Sequence, residues 1–279
     1  MSAKKMLLFP GQGSQFVGME EAFPDEKQVF ECAYDILGYD LKKKIAQSTE
    51  EELSQTILSQ PAILAVSLAA LKSAELDFDY AVAGHSLGEY AALYACGVLD
   101  MENAFKAIKL RVGAICNRPP TIPGAMTAVL GLNAEVVEDV CNSIDDVEPV
   151  NYNSPQQIVI AGTLEALQSA EEALTAKGAK RAIRLNVSAA FHSKFMTPAS
   201  EEFGEAAKSL TFGKPNRDFY SNVTGKLLTD FSDMPEYLAK HMRSPVRFTD
   251  EINAAKQAGI EEFIEIGPGK TLTGLVKKI

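Results

Sequence analysis

The sequence predicts an α/β fold, a mainly parallel sheet flanked by helices, into which a smaller βαββαβ unit is inserted. Three observations carry this. Short apolar runs such as Met6-Leu7-Leu8-Phe9 and Tyr80-Ala81-Val82-Ala83 alternate with long helical patterns, as strands buried on both faces do. The densest Pro/Gly stretch, Arg118-Pro119-Pro120-Thr121-Ile122-Pro123-Gly124, is followed by a different rhythm of elements. The pentapeptide Gly84-His85-Ser86-Leu87-Gly88 joins a predicted strand directly to a predicted helix.

Met6-Leu7-Leu8-Phe9 is a buried strand that ends at Pro10-Gly11. Helical spacing follows over 26–37 and 60–74, the second with Pro61 in a first turn, where its missing N–H costs nothing. The apolar stretch over 62–71 is about ten residues, well below a membrane span. A strand over 80–83 and a packed helix over 89–95 flank the pentapeptide. The helix over 101–115 carries Phe105, Ile108, Val112 and Ile115 on one face. Beyond the Pro/Gly break, 125–130 reads as a strand, and 133–144 as a helix with Ala134, Val137 and Val140 on its face. Strands over 147–152 and 157–161 are joined by Asn153-Ser154-Pro155. A helix over 164–177 ends at Gly178, and a strand covers 181–187.

This order is the split βαβ, ferredoxin-like unit. It is expected as a small subdomain over 123–189, inserted into a larger one formed by 1–122 and 190–279. A polar helix over 198–210, a β-rich patch over 219–228 and helices over 235–242 and 248–258 then resume the α/β pattern. The strand Glu262-Phe263-Ile264-Glu265-Ile266, the turn Gly267-Pro268-Gly269 and a short helix close it.

With 279 residues the chain buries a substantial core, near the size at which cores split. A formal net charge of −10 argues against general nucleic-acid binding, which needs a basic face. Cys32, Cys96, Cys116 and Cys141 lack metal-ligand spacing and read as reduced, mostly buried thiols. With no signal-like segment the expectation is a soluble, cytoplasmic protein without metal or cofactor, and a monomer, since no exposed apolar stripe is evident.

Gly84-His85-Ser86-Leu87-Gly88 fits the nucleophile elbow G-x-S-x-G of hydrolase-like sheets. Glycines on both sides let the backbone turn sharply, so the serine hydroxyl projects from the sheet. The turn opens a helix, whose free N–H groups favour a developing oxyanion. An activated serine needs a base, and the chain has three histidines. His85 lies inside the elbow, pointing away from the Ser86 side chain. His241, in a polar helical segment, reads as a surface residue. His192 sits where the chain leaves the inserted unit and is the candidate base, with no Asp or Glu placed to complete a triad.

Two glycine-rich segments fail as nucleotide sites. G-x-G-x-x-G starting at Gly11 would need glycine where Phe16 stands. A phosphate loop ending in Gly269-Lys270-Thr271 would need glycine at Ile264, and only eight residues follow Thr271. Arg111, at the edge of an apolar helix face, reads either as a stem covering the core or as a guanidinium fork aimed at a substrate carboxylate.

Taken together, several segments resemble the malonyl-CoA:acyl carrier protein transacylase family. They are Phe9-Pro10-Gly11-Gln12-Gly13-Ser14-Gln15, Gly84-His85-Ser86-Leu87-Gly88-Glu89-Tyr90, Arg111, Gly124-Ala125-Met126, Asn151-Tyr152-Asn153-Ser154-Pro155, Phe191-His192-Ser193, Ser244-Pro245-Val246-Arg247-Phe248 and Glu265-Ile266-Gly267-Pro268-Gly269-Lys270. The resemblance spans nearly the whole chain and includes the ferredoxin-like insertion. It implies Ser86 as nucleophile and His192 as base, held by a backbone carbonyl near Ser244. It implies an oxyanion hole from the N–H groups of Gln12 and Leu87, Arg111 on the malonyl carboxylate and Asn153 near the thioester arm. Leu87 and Phe191 resemble the malonyl-selective members. Malonyl-CoA and acyl carrier protein would be the partners, serving fatty-acid or polyketide synthesis. The Arg118–Pro123 turn is unlike the family's usual connection. Two other readings share the elbow: a serine hydrolase or thioesterase acting on acyl-CoA, and an inactive module that binds acyl-CoA or a carrier protein.

Overall fold

The structure, a computed structural model, describes residues 5–117, 124–187 and 189–279. The chain runs through β1 (Lys5–Phe9), α1 (Lys27–Leu37), α2 (Leu41–Gln47), α3 (Glu50–Ser54), α4 (Thr56–Ser73), β2 (Tyr80–Gly84), α5 (Gly88–Ala95) and α6 (Met101–Asn117). It continues with β3 (Gly124–Leu130), α7 (Ala134–Asn142), β4 (Val147–Ser154), β5 (Gln157–Thr163), α8 (Leu164–Ala176) and β6 (Arg181–Arg184). The remainder is α9 (Thr197–Ala207), β7 (Phe219–Ser221), β8 (Lys226–Leu227), α10 (Met234–Arg243), α11 (Phe248–Gln257), β9 (Glu262–Glu265) and α12 (Thr271–Val276).

The larger sheet has the order β8-β7-β2-β1-β9, parallel throughout except for the β7–β8 edge. Side chains alternate across it, as a pleated strand requires. Leu7, Phe9 and Val82 enter the main core with α1, α4, α5 and α6, whereas Met6, Leu8, Ala81 and Ala83 face Phe248, Ile252, Leu272 and Leu275 of α11 and α12. Each large side chain buried in this way contributes about 1.5–3 kcal/mol relative to exposure.

The smaller sheet is antiparallel with the order β4-β5-β3-β6, the ferredoxin-like arrangement. One face carries Val129, Ile158 and Ile160 under α7 and α8; the other presents Met126, Ala128 and Val159 to the main core. The smaller sheet is stitched to the segment between α10 and α11 by backbone bonds, Tyr152 N–H to Val246 O at 2.9 Å and Val246 N–H to Val150 O at 2.8 Å.

Some expectations change. α4 begins at Thr56, a turn earlier than the spacing predicts, so Pro61 lies inside it. Thr56, Leu58 and Ser59 are buried, and that packing carries the helix through the proline despite the lost hydrogen bond. At 18 residues α4 is long and apolar enough to span a membrane by length and composition, yet most of it is packed inside the protein. Helix α2 is capped by the Asp40 carboxylate on Lys43 N–H, and α3 by a Thr49/Glu52 capping box. Apolar spacing reveals neither, because each is too short to show a period. Cys116 is exposed rather than buried. The Arg118–Pro123 turn, where the proposed 122/123 subdomain boundary falls, lies outside the described residues.

The elbow's tightest contact is backbone on backbone. A Cβ on Gly88 would stand 1.9 Å from the carbonyl oxygen of Phe9, and one on Gly11 would stand 2.4 Å from that of His85. Gly88→Ala therefore forces β1 and α5 apart and is expected to destabilise the fold by more than the usual overpacking cost of about 1–3 kcal/mol. Gly113, inside α6, is the control, because a methyl group there would meet nothing within 4 Å. Its change to alanine should stabilise by about 0.5–1 kcal/mol, and chemical denaturation of both variants checks the contrast.

Candidate active site

β2 runs out at Gly84, and α5 begins at Gly88, so the chain reverses within three residues. Ser86 takes φ 52°, a left-handed conformation that costs a non-glycine residue energy and is held only by its surroundings. The turn is closed by Gly88 N–H to His85 O and Glu89 N–H to Ser86 O, both at 3.0 Å, while Ser86 N–H donates to the Asn222 side chain at 2.7 Å. Among the described residues, the Leu87 N–H has no acceptor, and it sits at the N-cap of α5, where an anion is favoured.

Ser86 Oγ lies 2.6 Å from His192 Nε2. His192, also with positive φ at 62°, is buried and places Nδ1 3.0 Å from Ser244 O and 3.1 Å from His241 O. Both neighbours are carbonyls, which only accept, so Nδ1 carries the proton and Nε2 offers its lone pair to Ser86. Burial, then the Arg111 charge, push the His192 pKa down to about 3, so the ring is neutral at physiological pH. The family resemblance names a carbonyl near Ser244 for such a contact; the second acceptor, His241 O, has no counterpart in the sequence reading.

Arg111 reaches the same cleft from α6 and is 2 % exposed, so its head does not reach water: the guanidinium, not only the stem, is buried. Its Nη1 donates to Gln60 Oε1 at 2.6 Å, its guanidinium lies 5.7 Å from the centre of the Tyr90 ring, and its Nε has no partner. Among the described residues no carboxylate forms an ion pair with it. The nearby Glu89 does not cancel this charge. Burial pushes its carboxyl up to about 8, against the hydrogen bonds from Asn222 N–H and Tyr237 and the pull of Arg111.

The cleft has an inner part of about 80 Å³ around Ser86, His192 and Arg111 and an outer part of about 230 Å³, so it widens away from the serine. Gln12, His85 and Asn151 line both parts. Met126, Leu185 and Val187 of the smaller unit form the far wall of the inner part. On the outer side Asn153 Oδ1 lies 2.7 Å from His85 Nε2, and Gln12 is joined to Gln60 and to Ser54 O, each at 3.5 Å.

His241 is a correction. It is fully buried, not on the surface, its ring 5.4 Å from that of His192. The polar residues around it in α10 suggest a solvated face, but Lys240 and Arg243 belong to the outer side and His241 to the inner one. Its 3.4 Å approach to Glu89 is not an ion pair at neutral pH, because burial keeps the imidazole unprotonated and the carboxyl protonated. Sequence reasoning also misses Gln60, Glu89, Asn222 and Glu251. Glu89, an acid in an otherwise apolar helix, is the one visible signal. Two basic residues outside the cleft are locally matched, Arg184 by Glu171 and Lys194 by Asp146. The failed phosphate loop is also accounted for: Glu265 accepts from Leu272 N–H, Thr273 N–H and Thr273 Oγ1, so a carboxylate already occupies the start of α12.

A family model described as acyl transferase domain matches residues 6–278. The malonyl CoA-acyl carrier protein transacylase of Bacillus subtilis is 40 % identical over 99 % of this chain and 90 % of its own length. An acyl carrier protein S-malonyltransferase from Vibrio cholerae superposes with a TM-score of 0.92 at 38 % identity, covering 99 % of this chain and 94 % of that one. A malonyl-transacylase in complex with its type II PKS acyl carrier protein also gives 0.92 at 38 %, covering 99 % and 93 %. A serine–histidine pair on an elbow, with a buried guanidinium beside it, is thus found on a chain that belongs to the acyl transferase family.

Proposed function

We propose that the protein moves a malonyl group from malonyl-CoA to the phosphopantetheine thiol of an acyl carrier protein through a malonyl ester on Ser86. The observation that carries this reading is the Arg111 guanidinium, buried beside the Ser86–His192 pair without a carboxylate of its own. A buried cation is costly unless paired, and a substrate carboxylate completes it. A hydrolase of neutral acyl-CoA has no use for such a group.

Malonyl-CoA places its free carboxylate on Arg111 and its thioester carbon at Ser86 Oγ. His192 Nε2 takes the Ser86 proton as Oγ attacks, and the oxyanion is received by the N–H groups of Leu87 and Gln12. Collapse breaks the C–S bond, and the leaving thiolate takes the proton from His192. The carrier thiol then gives its proton to His192 and attacks the ester, and Ser86 Oγ leaves with that proton. Each oxyanion donor contributes about 10²–10³ in rate and the base about 10²–10⁴. His85 and Asn153 line the wider outer part, through which a pantetheine arm would pass. The names of the relatives support the substrate pair.

Intact-mass analysis after mixing with malonyl-CoA tests the ester. One malonyl adduct is expected on the wild type and none on Ser86→Ala; an adduct on that variant, or CoA release that continues without a carrier thiol, would overturn the reading in favour of another nucleophile or of hydrolysis. Arg111→Ala should lower kcat/KM for malonyl-CoA by about 10–100-fold or more and raise relative use of acetyl-CoA, the loss expected for a charge-assisted pair. Unchanged malonyl/acetyl selectivity would sink the carboxylate role. The pH profile tests His192. Its pKa lies below the ordinary value, so the base form persists as pH falls through 6.5, and kcat/KM should show no ionisation between about pH 6 and 7. A bound malonyl carboxylate cancels the Arg111 charge that depresses His192, so the acid limb of kcat should sit at higher pH than that of kcat/KM. Rapid-mixing acylation rates against pH read both limbs.

A further inference from the structure

We propose that Asn222 is a positioning residue of the transfer reaction: its side-chain amide holds the two peptide groups that bracket His85, the second of which leads into Ser86, and so aims Ser86 Oγ and the Leu87 N–H into the cleft. The inference rests on Ser86 being the nucleophile.

Strand β7 pairs with β2 only as far as Tyr220 opposite Ala83. Beyond that rung the backbone of β2 has no strand beside it on this side, and the next groups are those of the elbow. Asn222, directly after β7, takes over with its side chain. Nδ2 donates to Gly84 O, and Oδ1 accepts from Ser86 N–H at 2.7 Å. The oxygen and nitrogen of one planar amide are fixed relative to each other, so the peptides on either side of His85 are fixed as well.

Asn222 is itself held on all sides. It is fully buried, its N–H donates to Glu89, its carbonyl accepts from Arg247 N–H at 3.0 Å, and Nδ2 also donates to Glu251 Oε1 at 2.7 Å. Glu89 comes from α5, Glu251 from α11, and Tyr237 and His241 from α10. Tyr237 donates to Glu89 at 2.9 Å, and His241 Nε2 lies 3.4 Å from Asn222 Oδ1. The amide cannot rotate without losing both Gly84 O and Ser86 N–H. That rigidity is what a serine at φ 52° requires, since such a conformation persists only where its surroundings over-determine it.

The test compares Asn222→Ala, Asn222→Asp and Ser86→Ala, in single-turnover malonylation with malonyl-CoA, counting malonylated sites by intact mass. Asn222→Ala should slow malonylation per acylatable site by about 10²-fold, the scale of a misplaced oxyanion donor. KM for malonyl-CoA and the malonyl/acetyl preference should stay within about twofold, because Arg111 is untouched. In Asn222→Asp the introduced carboxyl accepts from Ser86 N–H in either form but donates to Gly84 O only when protonated. Glu89, Glu251, Tyr237 and His241 face it without positive charge near neutral pH, and burial raises its pKa. Its rate should therefore recover as pH falls from about 8 to 6, while Asn222→Ala stays slow. A purely structural role predicts fewer acylatable sites with a wild-type rate at each, and that result would overturn the proposal. So would a pH-independent defect in Asn222→Asp, which decides alone if the alanine variant does not fold. Malonylation of Ser86→Ala would instead overturn the nucleophile reading, leaving the two failures distinct.

Discussion

Everything at the site depends on one close approach, the backbone of β1 against the first turn of α5. The end of the strand and the start of the helix touch through the Phe9 carbonyl and the Gly88 Cα, and no side chain fits between them. Because α5 is pressed onto the strand ends, the reversal between Gly84 and Gly88 has no room for a wider loop, and Ser86 is forced to positive φ. The same crossing brings the loop after β1, with Gln12, alongside the elbow, where His85 N–H donates to Phe9 O at 2.9 Å. The Gln12 loop and the elbow thus line one cleft because two backbones are in close contact. Small residues at Gly11, Gly84 and Gly88 are the steric condition for that contact rather than a source of flexibility.

The electrostatics follow from burial. Around Ser86 the structure gathers three histidines, two glutamates and an arginine in a space almost free of solvent, and desolvation moves each acid and imidazole toward its neutral form. Arg111 alone keeps its charge, because a guanidinium does not release its proton even when burial lowers its pKa. The result is a cleft with one fixed positive charge and a neutral base 2.6 Å from a hydroxyl. A dyad without a carboxylate suits this setting. An ionised acid behind His192 would be drawn to Arg111, whereas the carbonyls of His241 and Ser244 orient the ring with no net charge.

The legible part of the protein is the part written in local pattern. Alternation of apolar strands and periodic helices reveals both sheets, and the Gly84–Gly88 spacing with a strand before it and a helix after it reveals the elbow. Arg111 is visible as an anomaly on an apolar face, but only the fold shows that its head is buried against Gln60 and Tyr90. What stays hidden is set by contacts across long sequence separation. Asn222 meets Ser86 from 136 residues away, and nothing in Ser221-Asn222-Val223 marks it as more than a turn residue. His241 misleads for a related reason, since a helix face is assigned by its neighbours and α10 is amphipathic about an inner face that contains a polar residue. Short α2 and α3 escape because two turns give no period, although Thr49 and Glu52 form a capping box that a search for caps rather than stripes would find.

The two sheets divide the work in a way that explains the insertion. The larger sheet and the helices packed on it carry the elbow, the Gln12 loop, Arg111 and the carbonyls behind His192. The smaller one contributes walls, with Met126, Leu185 and Val187 over the inner cleft and Asn151 and Asn153 along the outer one. It is tied to the larger unit beside the site, through Val150, Tyr152 and Val246, and Thr249 Oγ1 adds a bond to Tyr152 O at 2.9 Å. Val246 lies two residues after Ser244, whose carbonyl orients His192. The stitch that fixes the wall therefore also fixes the segment that holds the base. A shift of β4 would be felt at both, so the width of the cleft is coupled to the Ser244 carbonyl, one of the two that orient His192, while the His241 carbonyl holds the ring from α10.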